Sequence, residues 1–152
     1  MNKEKRIWRA LFLTLTLMVI LSGCSGLPST AKLNISFDPD PVPYSIVDEW
    51  WPFDIIISES KGIGVTLTSL RFDGYNQAGQ LIETQWADEL DIIDWFGSNY
   101  IAAFSSLQTP GDFGYSADPG EEFTKYEILT IEGVDDNNNP IEATGRNDFL
   151  PQ

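Results

Sequence analysis

Phe123-Thr124-Lys125-Tyr126-Glu127-Ile128-Leu129-Thr130-Ile131-Glu132, followed by Gly133-Val134-Asp135-Asp136-Asn137-Asn138-Asn139-Pro140 and then Ile141-Glu142-Ala143-Thr144, is the stretch that decides the fold. The first part is rich in β-branched and aromatic side chains, which suit a pleated, half-buried surface. The middle is dense in glycine, asparagine, aspartate and proline, each of which favours a turn for its own backbone reason. The last part returns as a second strand, so the segment predicts a β-hairpin.

The same alternation recurs upstream. Leu33, Ile35 and Phe37 alternate with Asn34, Ser36 and Asp38, the period of a strand with one buried face. Pro39, Pro41 and Pro43 end that strand, because proline cannot donate to a sheet ladder. A second strand covers Trp51 to Glu59 with Phe53, Ile55 and Ile57 on one face, and Lys61 to Gly64 turns the chain. In the third, from Val65 to Tyr75, the apolar phase passes from Val65 and Leu67 to Leu70 and Phe72, which calls for a bulge near Ser69. Asn76-Gln77-Ala78-Gly79 reads as a hairpin loop leading into a strand around Gln80 to Thr84. Asn99 to Ser105 reads as another strand with Tyr100, Ala102 and Phe104 on one face.

Residues 86–97 break the pattern. Trp86, Leu90, Ile93 and Phe96 fall at helical spacing, with Asp88, Glu89, Asp91 and Asp94 elsewhere, which predicts a short amphipathic helix. Its acidic first turn suits the helix dipole, and Gly97 suits the C-terminal cap. About seven turn-separated strands without alternating helices indicate an all-β chain, a single antiparallel β-sandwich over residues 32–150. Thr109 to Gly120 is left as a long loop.

Composition narrows the chemistry. The 152 residues include no histidine and one cysteine, which removes Ser-His-Asp triads, Cys-His pairs and the usual zinc motifs. A formal charge of −14 opposes binding to nucleic acid.

The cysteine is placed distinctively. Lys3, Lys5, Arg6 and Arg9 precede an apolar run from Ala10 to Leu21, and Leu21-Ser22-Gly23-Cys24 closes it. Twelve apolar helical residues span only about 18 Å, short of the roughly 30 Å of a bilayer core, so the run suits export better than a permanent span. This segment resembles a bacterial lipoprotein signal peptide with its lipobox. The resemblance implies cleavage after residue 23, diacylation of the Cys24 thiol (palmitate or a similar chain), and a mature protein anchored by two or three acyl chains. Residues 24–31 would form the lipidated cysteine and tether. The mature part keeps Lys32, Lys61, Arg71, Lys125 and Arg146 against 22 acidic residues, a formal charge of −17.

The body resembles an immunoglobulin-like domain of the kind found in bacterial envelope lipoproteins. The resemblance rests on strand count, on Phe37-Asp38-Pro39-Asp40-Pro41-Val42-Pro43 and on the Gly133-Val134-Asp135-Asp136 hairpin, and it brings no catalytic motif. It implies a non-catalytic protein of the cell envelope, facing the periplasm or exterior, in the outer membrane if the host has one. Such a protein would act through contacts with an envelope protein or as a structural module.

Two alternatives compete with that reading. Asp135-x-Asn137-x-Asn139 has the opening spacing of a calcium loop, although Pro140 and Arg146 replace the glycine and glutamate that an EF-hand needs. A looser calcium site and a plain turn both remain open. Phe113 and Tyr115, in the long loop, are the aromatics expected to be exposed for a sugar or a protein partner. The remaining alternative is a carboxylate-only enzyme drawing on Asp88, Glu89, Asp91 and Asp94.

The anchor reading predicts that Cys24→Ser leaves an unlipidated, uncleaved precursor. Metabolic labelling with a radiolabelled fatty acid checks it: label in the parent and none in the variant is expected, and equal label in both refutes the anchor.

Overall fold

The computed structural model describes residues 30–111, 113–116 and 123–151; the signal segment, Cys24 and most of the tether lie outside them. The elements are β1 (Leu33–Asp38), β2 (Trp51–Pro52), β3 (Asp54–Glu59), β4 (Val65–Tyr75), β5 (Leu81–Ala87), α1 (Glu89–Phe96), β6 (Tyr100–Ile101), β7 (Ser106–Gln108), β8 (Gly114–Tyr115), β9 (Tyr126–Asp135) and β10 (Pro140–Asp148).

Eight of these strands form two antiparallel sheets, one ordered β1-β3-β7 and a five-stranded one ordered β10-β9-β4-β5 in which short β6 also pairs on β4. The smaller sheet faces the larger one in an all-β sandwich. Trp51, Ile55 and Ile57 point inward from the second-strand region, and Val65, Leu67, Leu70, Leu129 and Ile131 meet them from the other sheet, all essentially without solvent exposure. Burial at about 1.5–3 kcal/mol per large apolar side chain makes this layer the main adhesive between the sheets.

The β4 bulge occurs where the apolar phase changes. Leu67 pairs with Gly133 and Ser69 with Glu132, so Thr68 is the extra residue. A Cβ on Gly133 would come within 2.5 Å of the Thr66 carbonyl oxygen, which is why the strand facing the bulge carries glycine there.

Several boundaries differ from expectation. The terminal turn is shorter, because Val134 and Pro140 are themselves paired in the ladder and β10 continues to Asp148. Proline is tolerated at Pro140 as the first residue of a strand. β5 extends through Trp86 to Ala87, and α1 starts only at Glu89. Asp88 caps that helix, accepting from the Leu90 and Asp91 amides at 2.8 and 3.2 Å, while Asp91 accepts from the Asp88 amide at 3.0 Å. Ile92 and Phe96 turn inward, so Phe96 keeps its expected place on the apolar face while Leu90 and Ile93 face solvent. The expected strand at Asn99 to Ser105 reduces to Tyr100–Ile101, and Phe104, with φ 56°, leaves it for an exposed turn.

Strand directions give the sandwich two poles. β1 and β10 begin, and β3 and β9 end, at the pole that carries Ala31. There the Ala31 amide donates to Asp135 at 3.0 Å. The buried Glu59 carboxylate receives the amides of Lys61, Gly62 and Phe104 at 2.6, 2.7 and 3.1 Å, with Lys32 and Ile63 each at 3.3 Å. The ends of β4 and β10 and the starts of β5 and β9 lie at the opposite pole according to the strand pairing.

Ile57→Ala should cost about 2–5 kcal/mol through lost burial and a residual cavity, whereas Asn34→Ala, on the outward face of β1, should stay within about 0.5 kcal/mol. Urea denaturation of the two variants checks the contrast, and a small loss at Ile57 would contradict its place in the inter-sheet layer.

Candidate functional site

At the pole far from Ala31, ladder pairing lines up one transverse row across the four-stranded sheet. Gly74 of β4 is opposite both Glu83 of β5 and Glu127 of β9, and Glu127 is opposite Asn147 of β10. Residues paired in register share a sheet face. On β9 that face also carries Leu129 and Ile131, two positions and four positions along, so Glu127 occupies a place in the core phase of the strand.

Gly74 leaves the room this row needs. A Cβ there would lie 2.5 Å from Glu83 Cγ and 2.7 Å from its Oε1, so the Glu83 side chain rests over the bare glycine backbone. Thr124 Oγ1 donates to Glu83 Oε1 at 2.9 Å and accepts from the Tyr115 hydroxyl at 3.1 Å.

A cleft of about 250 Å³ opens above the row. Its walls are aromatic: Phe72 meets Trp95 edge-to-face at 6.1 Å between centroids, Trp95 meets Phe113 at 5.3 Å, and Phe113 meets Phe53 at 5.6 Å. Glu83, Gln85, Tyr115 and Glu127 supply its polar lining. α1 contributes Trp95 because Ile92 and Phe96 hold that helix against the sheet. The loop contributes Phe113 because the Phe53 amide donates to its carbonyl at 3.1 Å and β8 pairs with β2.

Glu127 is the anomalous group. Burial pushes its pKa up to about 7; Asn147 pulls it down, and the Glu83 charge adds to the rise. Its Oε1 and both side-chain polar atoms of Asn147 are buried without a hydrogen-bond partner. A buried carboxyl so placed costs more than a satisfied one.

The residues singled out from the sequence fare differently. Phe113 and Tyr115 are half-buried rather than exposed: Phe113 packs between Phe53 and Trp95, and Tyr115 packs on Trp51 and Phe149 at 5.5 and 5.2 Å. They are cleft walls, because β8 folds the long loop back onto β2. Asp135, Asn137 and Asn139 are brought together, and the Asp135 carboxylate receives the Asn137 and Asn139 amides at 2.9 Å each, with Asn139 Nδ2 at 3.1 Å. With Ala31 these donors, outweighing burial, hold its pKa below the usual carboxylate range. Donor hydrogens aimed at the carboxylate make a turn anchor of this motif, with Asn138 at φ 61°. Among the described residues no three carboxylate or thiol side chains cluster as metal ligands do. Asp88 and Asp91 are engaged in the capping box. Cys24 lies outside the described residues.

Glu83 and Glu127 were not among the sequence candidates. Glu127 carried a legible signal, an acid at the inward parity of Leu129 and Ile131; the position of Glu83 opposite Gly74 depends on register and carried none.

No family model matches the chain, and no curated protein is significantly similar to it. It is similar to a solved structure titled "X-ray structure of Northeast Structural Genomics Consortium target SoR45", at 14% identity and a TM-score of 0.43, over 81% of this chain and 89% of that one.

Glu127 imposes a pH dependence on stability. Its folded pKa of about 7 lies above the ordinary 4.5, so the folded state holds an extra proton between those values and stability falls as pH rises through that window. At about 1.4 kcal/mol per unit, the loss is roughly 3 kcal/mol by pH 8. Glu127→Gln should remove this fall, and urea midpoints measured for parent and variant from pH 4 to pH 8 check the difference.

Proposed function

We propose that this chain is a non-catalytic module of the cell envelope, tethered through lipid on Cys24, that works by contact with another envelope protein. One observation carries the contact reading. Trp86, Leu90 and Ile93, apolar at helical spacing and within eight residues of sequence, are 61%, 75% and 43% exposed. Leu90 and Ile93 are one turn apart on α1 and therefore neighbours. Trp86 stands on β5, the edge of its sheet, with the Arg71 guanidinium 5.5 Å from its ring centroid. Tryptophan and arginine are enriched in energetically dominant contact sites, and an edge strand offers unpaired backbone groups as well.

The position of Ala31 supports the tethered arrangement. It lies seven residues beyond Cys24 and is bonded to Asp135 at one pole. The ten residues of β9 span the distance from the opposite pole to that one, about 30 Å. A lipid on Cys24 would leave the Trp86 surface on the flank of the sandwich and the acidic cleft at its membrane-distal end. Among the described residues no helix is long and apolar enough to cross a membrane.

A photo-crosslinking residue placed at Trp86, Leu90 or Ile93 of the anchored chain in intact cells should give one discrete heavier species common to the three positions, and none from Thr144 on β10. Absence of an adduct at all three, in variants whose stability stays within about 0.5 kcal/mol of the parent, would reduce the protein to a spacer.

A further inference from the structure

We propose that the distal cleft binds a small organic cation, its ammonium or guanidinium N–H groups meeting Glu127 and Glu83 and its alkyl carrier lying among the rings of Phe72, Trp95 and Phe113. This site is separate from the contact surface: Glu83 and Gln85 share one parity on β5, and Trp86 has the other.

Three independent observations converge on that chemistry. The first is an unmet demand. Glu127 is 6% exposed and lines the cleft, and its buried Oε1 has no hydrogen-bond partner. Of the other three buried carboxylates, Glu59 and Asp135 each collect at least four N–H donors from this chain, and Asp73 is met by the Thr84 hydroxyl and Arg71. Glu127, facing only the Asn147 amide, collects no comparable set of donors, and it lines the cleft.

The second observation is charge. Glu83 faces the same cleft from the strand on the other side of Gly74, and among the described residues no lysine or arginine lines it. Two carboxyl groups in one cleft repel each other unless a positive group stands between them. A neutral sugar would leave that repulsion in place.

The third is the wall. An edge-to-face chain of Phe72, Trp95, Phe113 and Phe53 turns several rings toward one space, the surroundings in which organic cations are held by ring quadrupoles. Calcium needs about six to eight oxygen ligands, which two carboxylates among aromatic rings do not provide. At about 250 Å³ the cleft exceeds the roughly 150 Å³ that accepts benzene, so a single-headed amine or guanidine of short chain length fits.

The test uses the full chain purified in detergent. Butylammonium, 1,4-diaminobutane and agmatine are titrated calorimetrically and by tryptophan fluorescence, with 1-butanol and glucose as neutral comparators. At least one cation should bind saturably at one per chain, and 1-butanol should bind at least tenfold more weakly. Glu127→Gln and Glu83→Gln should each weaken binding at least tenfold, while Glu142→Gln, a surface acid on β10, should leave it unchanged. Because Glu127→Gln removes a buried acid, the variant should fold, and Glu83→Gln tests the same site independently. Equal binding of butylammonium and butanol, unchanged affinity in both cleft variants, or no saturation by any cation up to about 10 mM would overturn the proposal; the crosslinking at Trp86 would stand in each case.

Discussion

Burial of one continuous apolar layer between two sheets is the constraint on which everything else rests. With a single cysteine, at position 24, no disulfide can join β1-β3-β7 to β10-β9-β4-β5 within the chain. The inward alternation of Ile55 and Ile57 against Leu70, Leu129 and Ile131 must hold them. A one-residue slip would put every one of those side chains on the wrong face, which is why the bulge at Thr68 matters: it re-phases β4 so that both halves of the strand point their apolar residues inward. Trp51 seals the far end of the same layer. Its ring packs on Tyr44, Tyr115 and Phe123, and its indole N–H donates to the Leu150 carbonyl at 2.8 Å, satisfying the one polar atom that its burial would otherwise strand.

Of the four buried carboxylates among the described residues, Glu59, Asp135 and Glu127 are the most deeply placed, and the contrast among these three carries the functional argument. Glu59 is opposed by burial, yet the amides of Lys61, Phe104, Gly62 and Lys32 hold its pKa below the ordinary value, and in return it organises two loops around the end of β3. Asp135 does the same for the terminal turn and for the first residue of the body, Ala31. Both lie at the pole where a lipid tether would enter, and both convert a buried charge into local rigidity. Glu127, at the other pole, has an amide neighbour across the strand and a second acid beyond Gly74, and its Oε1 is left unmet. Natural cores rarely leave such a group unsatisfied without a purpose. The fold therefore separates a stabilised end from an end that carries an electrostatic demand, and it places them on opposite sides of about 30 Å of sheet.

Parts of this arrangement were legible in the one-dimensional pattern. Period-two alternation marks β1, β3 and both halves of β4, since a strand has only two faces and one of them is dry. Trp86-Leu90-Ile93 was misleading for a physical reason: helical spacing identifies a stripe but not which side of it meets the sheet, and Ile92 and Phe96 are the residues that turn inward. Phe113 and Tyr115 were misleading for another, because a glycine- and proline-rich stretch reads as solvent loop until β2 supplies a pairing partner from more than sixty residues away.

By itself the sequence determined the all-β class, the approximate strands, the exclusion of histidine and disulfide chemistry, and the lipobox pattern around Cys24, because each depends only on residue type and local spacing. Tertiary structure alone decided that Glu83, Gly74, Glu127 and Asn147 stand in one row, that four distant aromatic rings enclose the space above it, and that an apolar helix flank remains in water. Those outcomes depend on register between strands far apart in sequence and on which side of a helix meets the sheet. Both are set by the free energy of packing the whole layer at once, which no local window of residues contains.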